Sequence, residues 1–169
     1  MTTIMVDGIN LDVPAIHARF PNHPVACYVN GEFAWTTAQE ALFARKVRIS
    51  IDDDPHAAGK ARVLDVERGA ATIAAIPRFL AERAALGHHD ATIYCNISTL
   101  DAIPAAIRAE VPRWWIAWYW QRPGVPASPA PVLRQIGDAF PPQNLWAWQY
   151  VSTGSWDLSA VFGAQDWSR

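Results

Sequence analysis

The chain is expected to fold as an α/β protein, a compact TIM-like (β/α)5(β)3 barrel with parallel strands first and outer helices missing after the last three strands. Three observations predict this. Strand and helix signals alternate through the first half, to a count of five strand–helix units. Three more strand-like segments, "WWIAWYW" (114–120), "LWAWQY" (145–150) and "SWDLSAVF" (155–162), follow with no convincing helix between them. Polar residues recur at strand ends. Strand–helix alternation implies a parallel sheet, and eight strands can close a barrel. Such barrels usually take roughly 250 residues. A chain of 169 residues is long enough only if the last three outer helices are absent.

The elements follow in order. "TIMVDGI" reads as a strand ending at Asp7, and "VPAIHARF" as a short helix opening on Pro14, where a missing N–H costs nothing. "PVACYVNG" is a second strand stopped by Asn-Gly. "TTAQEALFAR" is a helix with Thr36 or Thr37 as N-cap and Gln39 or Glu40 placed to close a capping box. "KVRISIDDD" and "ARVLDVERG" are the third and fourth strands. In "ATIAAIPRFLAERAALG", Ile73, Ile76, Phe79, Leu80 and Leu86 recur at helical spacing and Gly87 supplies the stop. "ATIYCN" is the fifth strand, and "STLDAIPAAIRAEV" a helix capped by Ser98; Pro77 and Pro104 bear on where these helices start. The Pro-rich "RPGVPASPAP" joins the sixth and seventh strands as a loop, and "TGS" turns into the eighth.

Composition narrows the class. With 51% hydrophobic and 18% charged residues, residues 1–169 are expected to form a single domain around one core. A net charge of -2 provides no basic face for nucleic acid or a membrane surface. No apolar run approaches a membrane span. "MTTIMVDGINLDV" lacks a basic stretch followed by an apolar one, so no signal peptide is expected. Cys27 and Cys95 read as buried free thiols, and His17, His23, His56, His88 and His89 are too scattered for a metal site. No cofactor is implied.

The nine Trp residues are unusual, because each indole N–H needs a partner when buried. They cluster late, and a row of them around a cavity suits the apolar faces of sugar rings. On the sixth strand Trp115, Ala117 and Tyr119 share one face, with room beside Ala117 for a ring. Trp114, Ile116, Trp118 and Trp120 are expected to point outward, against helices or as a contact for an oligomer or a virion.

The strand ends carry Asp7, Asn30, Asp52 to Asp54, Asp65 with Glu67, Tyr94 with Asn96, Tyr119, Gln149 and Asp157. In a parallel barrel the reactive groups gather at the C-terminal strand ends. Period-2 alternation puts Asp65 and Glu67 on one face with Val66 on the other. Their Cα atoms should lie about 6.6 Å apart, at roughly 3.3 Å per residue. Two acids at that spacing can address one sugar, as glycosidic cleavage requires. Burial and mutual repulsion raise a carboxyl pKa there, and Glu67, nearer the mouth, is the better proton donor. The Asp52 to Asp54 run reads as a solvated loop.

In order, "VLDVE", "TIYCN", "WWIAWY", "WAWQY" and "WDLSAVF" resemble the landmarks of glycoside hydrolase family 25, the Chalaropsis-type lysozymes. The resemblance runs from Val63 to Phe162, and the short members encoded by actinobacteria and their phages look most similar to this Lys-poor chain. It implies a (β/α)5(β)3 barrel that cleaves the β-1,4 bond between N-acetylmuramic acid and N-acetylglucosamine in peptidoglycan. Carried over, Glu67 matches the general acid, Asp65 the carboxylate assisting the charged intermediate, and Asp157 the late active-site Asp. Tyr94, Tyr119 and Gln149 match cavity-lining positions; Asn96 and Trp115 join them as substrate-binding residues. The family's D-V-S segment has no clean counterpart, and its N-terminal acid is Asp7 by analogy, with Asp12 the rival. The motifs of the second and third strands are replaced by "VNGEFAW" and "SIDDDP".

The leading expectation is a peptidoglycan-cleaving muramidase, a phage lysin or remodelling enzyme, held in the host cytoplasm until released or carried on the virion. Its rivals are a non-catalytic glycan-binding or virion component on the same barrel, and a hydrolase of another glycan.

Overall fold

A computed structural model describes residues 2–52, 59–119 and 124–162. Eight strands close a barrel in chain order: β1 (Thr3–Asp7), β2 (Val25–Tyr28), β3 (Lys46–Ser50), β4 (Val63–Asp65), β5 (Thr92–Asn96), β6 (Arg113–Ala117), β7 (Leu145–Ser152) and β8 (Asp157–Val161). Pairs from β1–β2 through β6–β7 are parallel; β8 runs antiparallel to both neighbours and seals the barrel between β7 and β1. Register shifts at Trp114/Trp115 and Gln149/Val151 mark irregularities on the two sides of β7. An extra residue bends a strand and increases its twist, which suits the one strand with a parallel and an antiparallel partner.

Alternation sorts the side chains into two layers. Met5, Ala26, Val47, Val63, Trp115, Ala117, Ala147 and Val161 fill the barrel interior. Leu64, Val66, Ile93, Cys95, Trp114, Ile116 and Trp148 face outward under the helices. Val66 therefore points to the outer layer while Asp65 and Glu67 flank it, as period 2 requires.

The outer helices that lie wholly within the described residues are α1 (Val13–Arg19), α2 (Thr37–Ala41), α3 (Ile76–Ala85), α4 (Ile97–Ala102), α5 (Ala105–Glu110) and α6 (Ala130–Ile136). The α2 capping box closes between Thr36 and Gln39. Two expectations are corrected. Residues 98–111 form two helices, not one, because Pro104 cannot supply the N–H that a continuous helix needs there; the cap is Asn96, whose side chain accepts from the Thr99 N–H, not Ser98. The β6–β7 connection also holds α6, which begins on prolines and buries Val132 and Ile136. Proline in a first turn is compatible with a helix, so the Pro-rich stretch conceals a helix start. α3 begins at Ile76 after a 3-10 turn at Ile73–Ala75, with Pro77 in its first turn, and Gly87 follows at φ +77.

The flank expected to be bare is thus covered. Trp114 stacks on Phe140 with centroids 5.2 Å apart, and Trp118 on Trp148 at 5.5 Å. Trp114 and Trp148 are fully buried. Trp120, Trp167, His56, Asp53 and Asp54 lie outside the described residues.

Candidate active site

The strand order determines which polar residues meet. Asp7 ends β1 and lies directly across from Asp157 on β8; Asp65 ends β4 beside Tyr94 on β5; Asn96 pairs with Ala117, and Ala117 with Gln149. Asp157 opens its strand, whereas the sequence pattern had grouped it with residues closing theirs. It reaches the same mouth because β8 is reversed.

Each acid has a distinct setting. The Tyr28 hydroxyl donates to Asp65 Oδ2 at 3.1 Å, and Asn96 Nδ2 donates to Glu67 Oε1 at 3.1 Å. The Tyr94 hydroxyl donates to Gln149 Oε1 at 2.6 Å, and Gln149 Nε2 donates to Asp157 Oδ2 at 2.7 Å. Asp7 and Asp65 are 6% and 5% exposed, and among the described residues Oδ1 of each is buried without a hydrogen-bond partner. Glu67 and Asp157 are half-buried. A hollow of about 260 Å3 adjoins Glu67, lined also by Arg68, Thr72, Ile73 and Thr99.

Burial is the first cause of every pKa shift in this cluster. Asp7 is pushed well above the carboxylate range by burial and then by the charges of Asp157, Asp65 and Glu67. Asp65 is pushed up to about 7 by burial and by Glu67, against the pull of the Tyr28 hydrogen bond. Glu67 is raised by burial, restrained by hydrogen bonds from Asn96, and raised again by Asp157. Asp157 is raised by burial, restrained by Ser152 and Gln149, and raised by Asp12. Burial and mutual repulsion disfavour ionising all four carboxyls together.

The remaining predicted residues fall into three groups. Tyr94 is buried in the barrel, and Tyr119 stands 52% exposed at its mouth, where it shares a hydrogen bond with Ser152. Trp115 is fully buried, with its indole N–H donating to Ser159 Oγ at 3.0 Å; it packs edge-on against Tyr94 and supports the site from below. Asn30 ties two strand ends together, donating to Ser50 Oγ at 2.9 Å while its Oδ1 accepts from the Ile51 N–H. Asp12 ends a 3-10 turn after β1, and its charge raises the Asp157 pKa. Tyr28 was not among the sequence candidates. Its signal was present: Ala26 and Tyr28 alternate inward on β2 and the strand stops at Tyr28.

No family model matches the sequence, and no curated protein matches it. Solved structures do. A muramidase from Acremonium alcalophilum superposes with a TM-score of 0.56 at 13% identity, over 96% of this chain and 94% of that one. A family GH25 lysozyme from Aspergillus fumigatus gives 0.56 at 14% identity, over 97% and 95%. An uncharacterized B. stearothermophilus protein gives 0.55 at 13% identity, over 95% and 96%. The chain therefore has a GH25 lysozyme-like barrel fold.

Proposed function

We propose that this protein is a glycoside hydrolase that cuts cell-wall peptidoglycan, an N-acetylmuramidase, with Glu67 as general acid and Asp65 as the carboxylate facing the developing cation. The observation that carries the reading is the meeting of Asp7, Asp65, Glu67 and Asp157 at one mouth, where burial raises all four pKa values. Structural acids seldom gather without cations; a glycosidic bond needs one carboxyl that keeps its proton and one that carries charge. Glu67 is half-buried rather than enclosed, so its proton can reach a glycosidic oxygen. Asp65 is deeper, and the Tyr28 hydroxyl favours its ionised form; above about pH 7, where it has lost its proton, it meets the positive charge forming on the sugar as a carboxylate. Asp7 and Asp157 tune the pair by repulsion, and exposed Tyr119 offers a ring to the glycan. The likeness to muramidase structures adds support at the level of fold, and the short actinobacterial and phage lysozymes are the relatives this reading favours.

The test is release of reducing ends from purified actinobacterial walls by wild type and by Glu67→Gln. General acid catalysis contributes about 10²–10⁴-fold, and the variant should lose at least that order while still binding walls. A wild type that binds walls but releases no reducing ends would leave a non-catalytic glycan binder. A Glu67→Gln variant as fast as wild type would move the acid elsewhere.

A further inference from the structure

Asn96 performs two tasks with one amide. Its Oδ1 accepts from the Thr99 backbone N–H at 2.9 Å and from Ser98 Oγ at 2.7 Å, capping α4. A backbone N–H can only donate, so the atom facing Thr99 is the oxygen and the amide cannot be flipped. Nδ2 is thereby aimed at Glu67 Oε1, 3.1 Å away. Gln149 repeats the arrangement across the mouth: the Tyr94 hydroxyl holds its oxygen, and its nitrogen faces Asp157. Among the described residues, Asp7 and Asp65 have no such donor on Oδ1.

We infer that Asn96 is a positioning residue for Glu67, oriented by the α4 cap. The inference rests on Glu67 being the proton donor. The Asn96 backbone N–H also bonds the Glu67 carboxyl, so residue 96 grips the acid through main chain and side chain while it holds its proton. When that proton moves to the glycosidic oxygen and the C–O bond breaks, Glu67 becomes a carboxylate. The Asn96 hydrogen bond then becomes charge-assisted and stronger. It stabilises the transition state more than the ground state and should act on kcat more than on KM. Ser98, which touches no acid, contributes by holding the amide.

The experiment compares Asn96→Ser and Asn96→Asp with the full wild-type chain. Both replacements are good N-caps, so α4 and the melting temperature should be kept; both remove the side-chain N–H from Glu67 and keep only the backbone N–H of residue 96. The ionisation of Glu67, followed by NMR of its side-chain carboxyl carbon, should move up in both, more in Asn96→Asp, where a like charge is added. On walls, kcat should fall about ten- to a hundredfold, the range for a hydrogen bond to a charged group, with KM little changed and the basic limb of the pH profile moved upward. Ser98→Ala should move the same quantities less. An unchanged Glu67 ionisation in both Asn96 variants would reduce Asn96 to a helix cap and overturn the inference. This arm needs no turnover, so a wild type that cleaves nothing would defeat the proposed activity and still leave the hydrogen bond tested.

Discussion

At the N-terminal ends of the strands, Asp90 sits among Arg62, Arg83 and Arg113 at 3.0, 3.2 and 3.8 Å, and the Arg62 guanidinium lies 5.2 Å from the Trp146 ring centroid. At the C-terminal ends, Asp7, Asp65, Glu67 and Asp157 crowd together, and among the described residues none of them makes an ion pair with Lys or Arg. At one end three cations gather round a shared anion; at the other the acids have no Lys or Arg partner among the described residues, and burial favours their protonated forms. Paired charge at the floor serves the fold, and uncompensated charge at the mouth is what a reactive site looks like in a barrel of this kind.

The sharpest way to break this contrast is to make one chemical change at both ends. Asp65→Asn should cut wall hydrolysis severely yet raise stability at pH 8. Displacing its pKa from 3.8 to about 7 corresponds to a burial cost on the order of 4 kcal/mol. Asp90→Asn should instead destabilise by about 3 kcal/mol, the scale for removing the partner of buried charge. Denaturant unfolding of the two variants decides the matter; stabilisation by both would mean that the floor cluster is no better paired than the mouth.

A second measurement sharpens the contrast through pH. In the folded state Asp65 holds its proton to about pH 7, whereas the unfolded chain releases it near 3.8. Between these values the folded state binds more protons, so stability should fall as pH rises from about 4 to about 7, then level off. Melting temperatures across that window should show the slope in wild type and a weaker one in Asp65→Asn. A third and smaller effect concerns the Tyr94–Gln149–Asp157 chain. Tyr94→Phe removes one buried hydrogen bond and should cost about 1 kcal/mol, and the freed Gln149 amide should let the Asp157 ionisation drift up. The smallest effect is none: Cys27 and Cys95 are free, buried thiols, so a reducing agent should leave the melting temperature unchanged.

How much of this was legible in the sequence depended on whether the cause was local. Alternation along β4 and β6 is local, and it correctly separated Asp65 from Val66 and Trp115 from Trp114. The α2 cap was readable from Thr36 and Gln39 for the same reason. The orientation of β8 was not, because strand direction depends on which neighbours it meets; hence Asp157 was grouped with strand ends although it begins one. α6 lay hidden because Pro in a helical first turn and Pro in a loop look alike. Asn96 was recognised as polar at the mouth, but its bond to Glu67 joins residues 29 apart in sequence, and no period predicts such a pair.

The reversed last strand has a consequence for synthesis. Asp157 lies on β8, and the barrel closes only when β8 enters between β7 and β1. A nascent chain emerging from the ribosome has Asp7, Asp65 and Glu67 long before it has the fourth acid or the seam that closes the barrel around them. A product truncated anywhere before β8 would carry the D-x-E pair but neither a closed mouth nor the environment that raises its pKa values. Synthesis of β8 would then act as a checkpoint, withholding the assembled four-acid mouth from every fragment that lacks that strand.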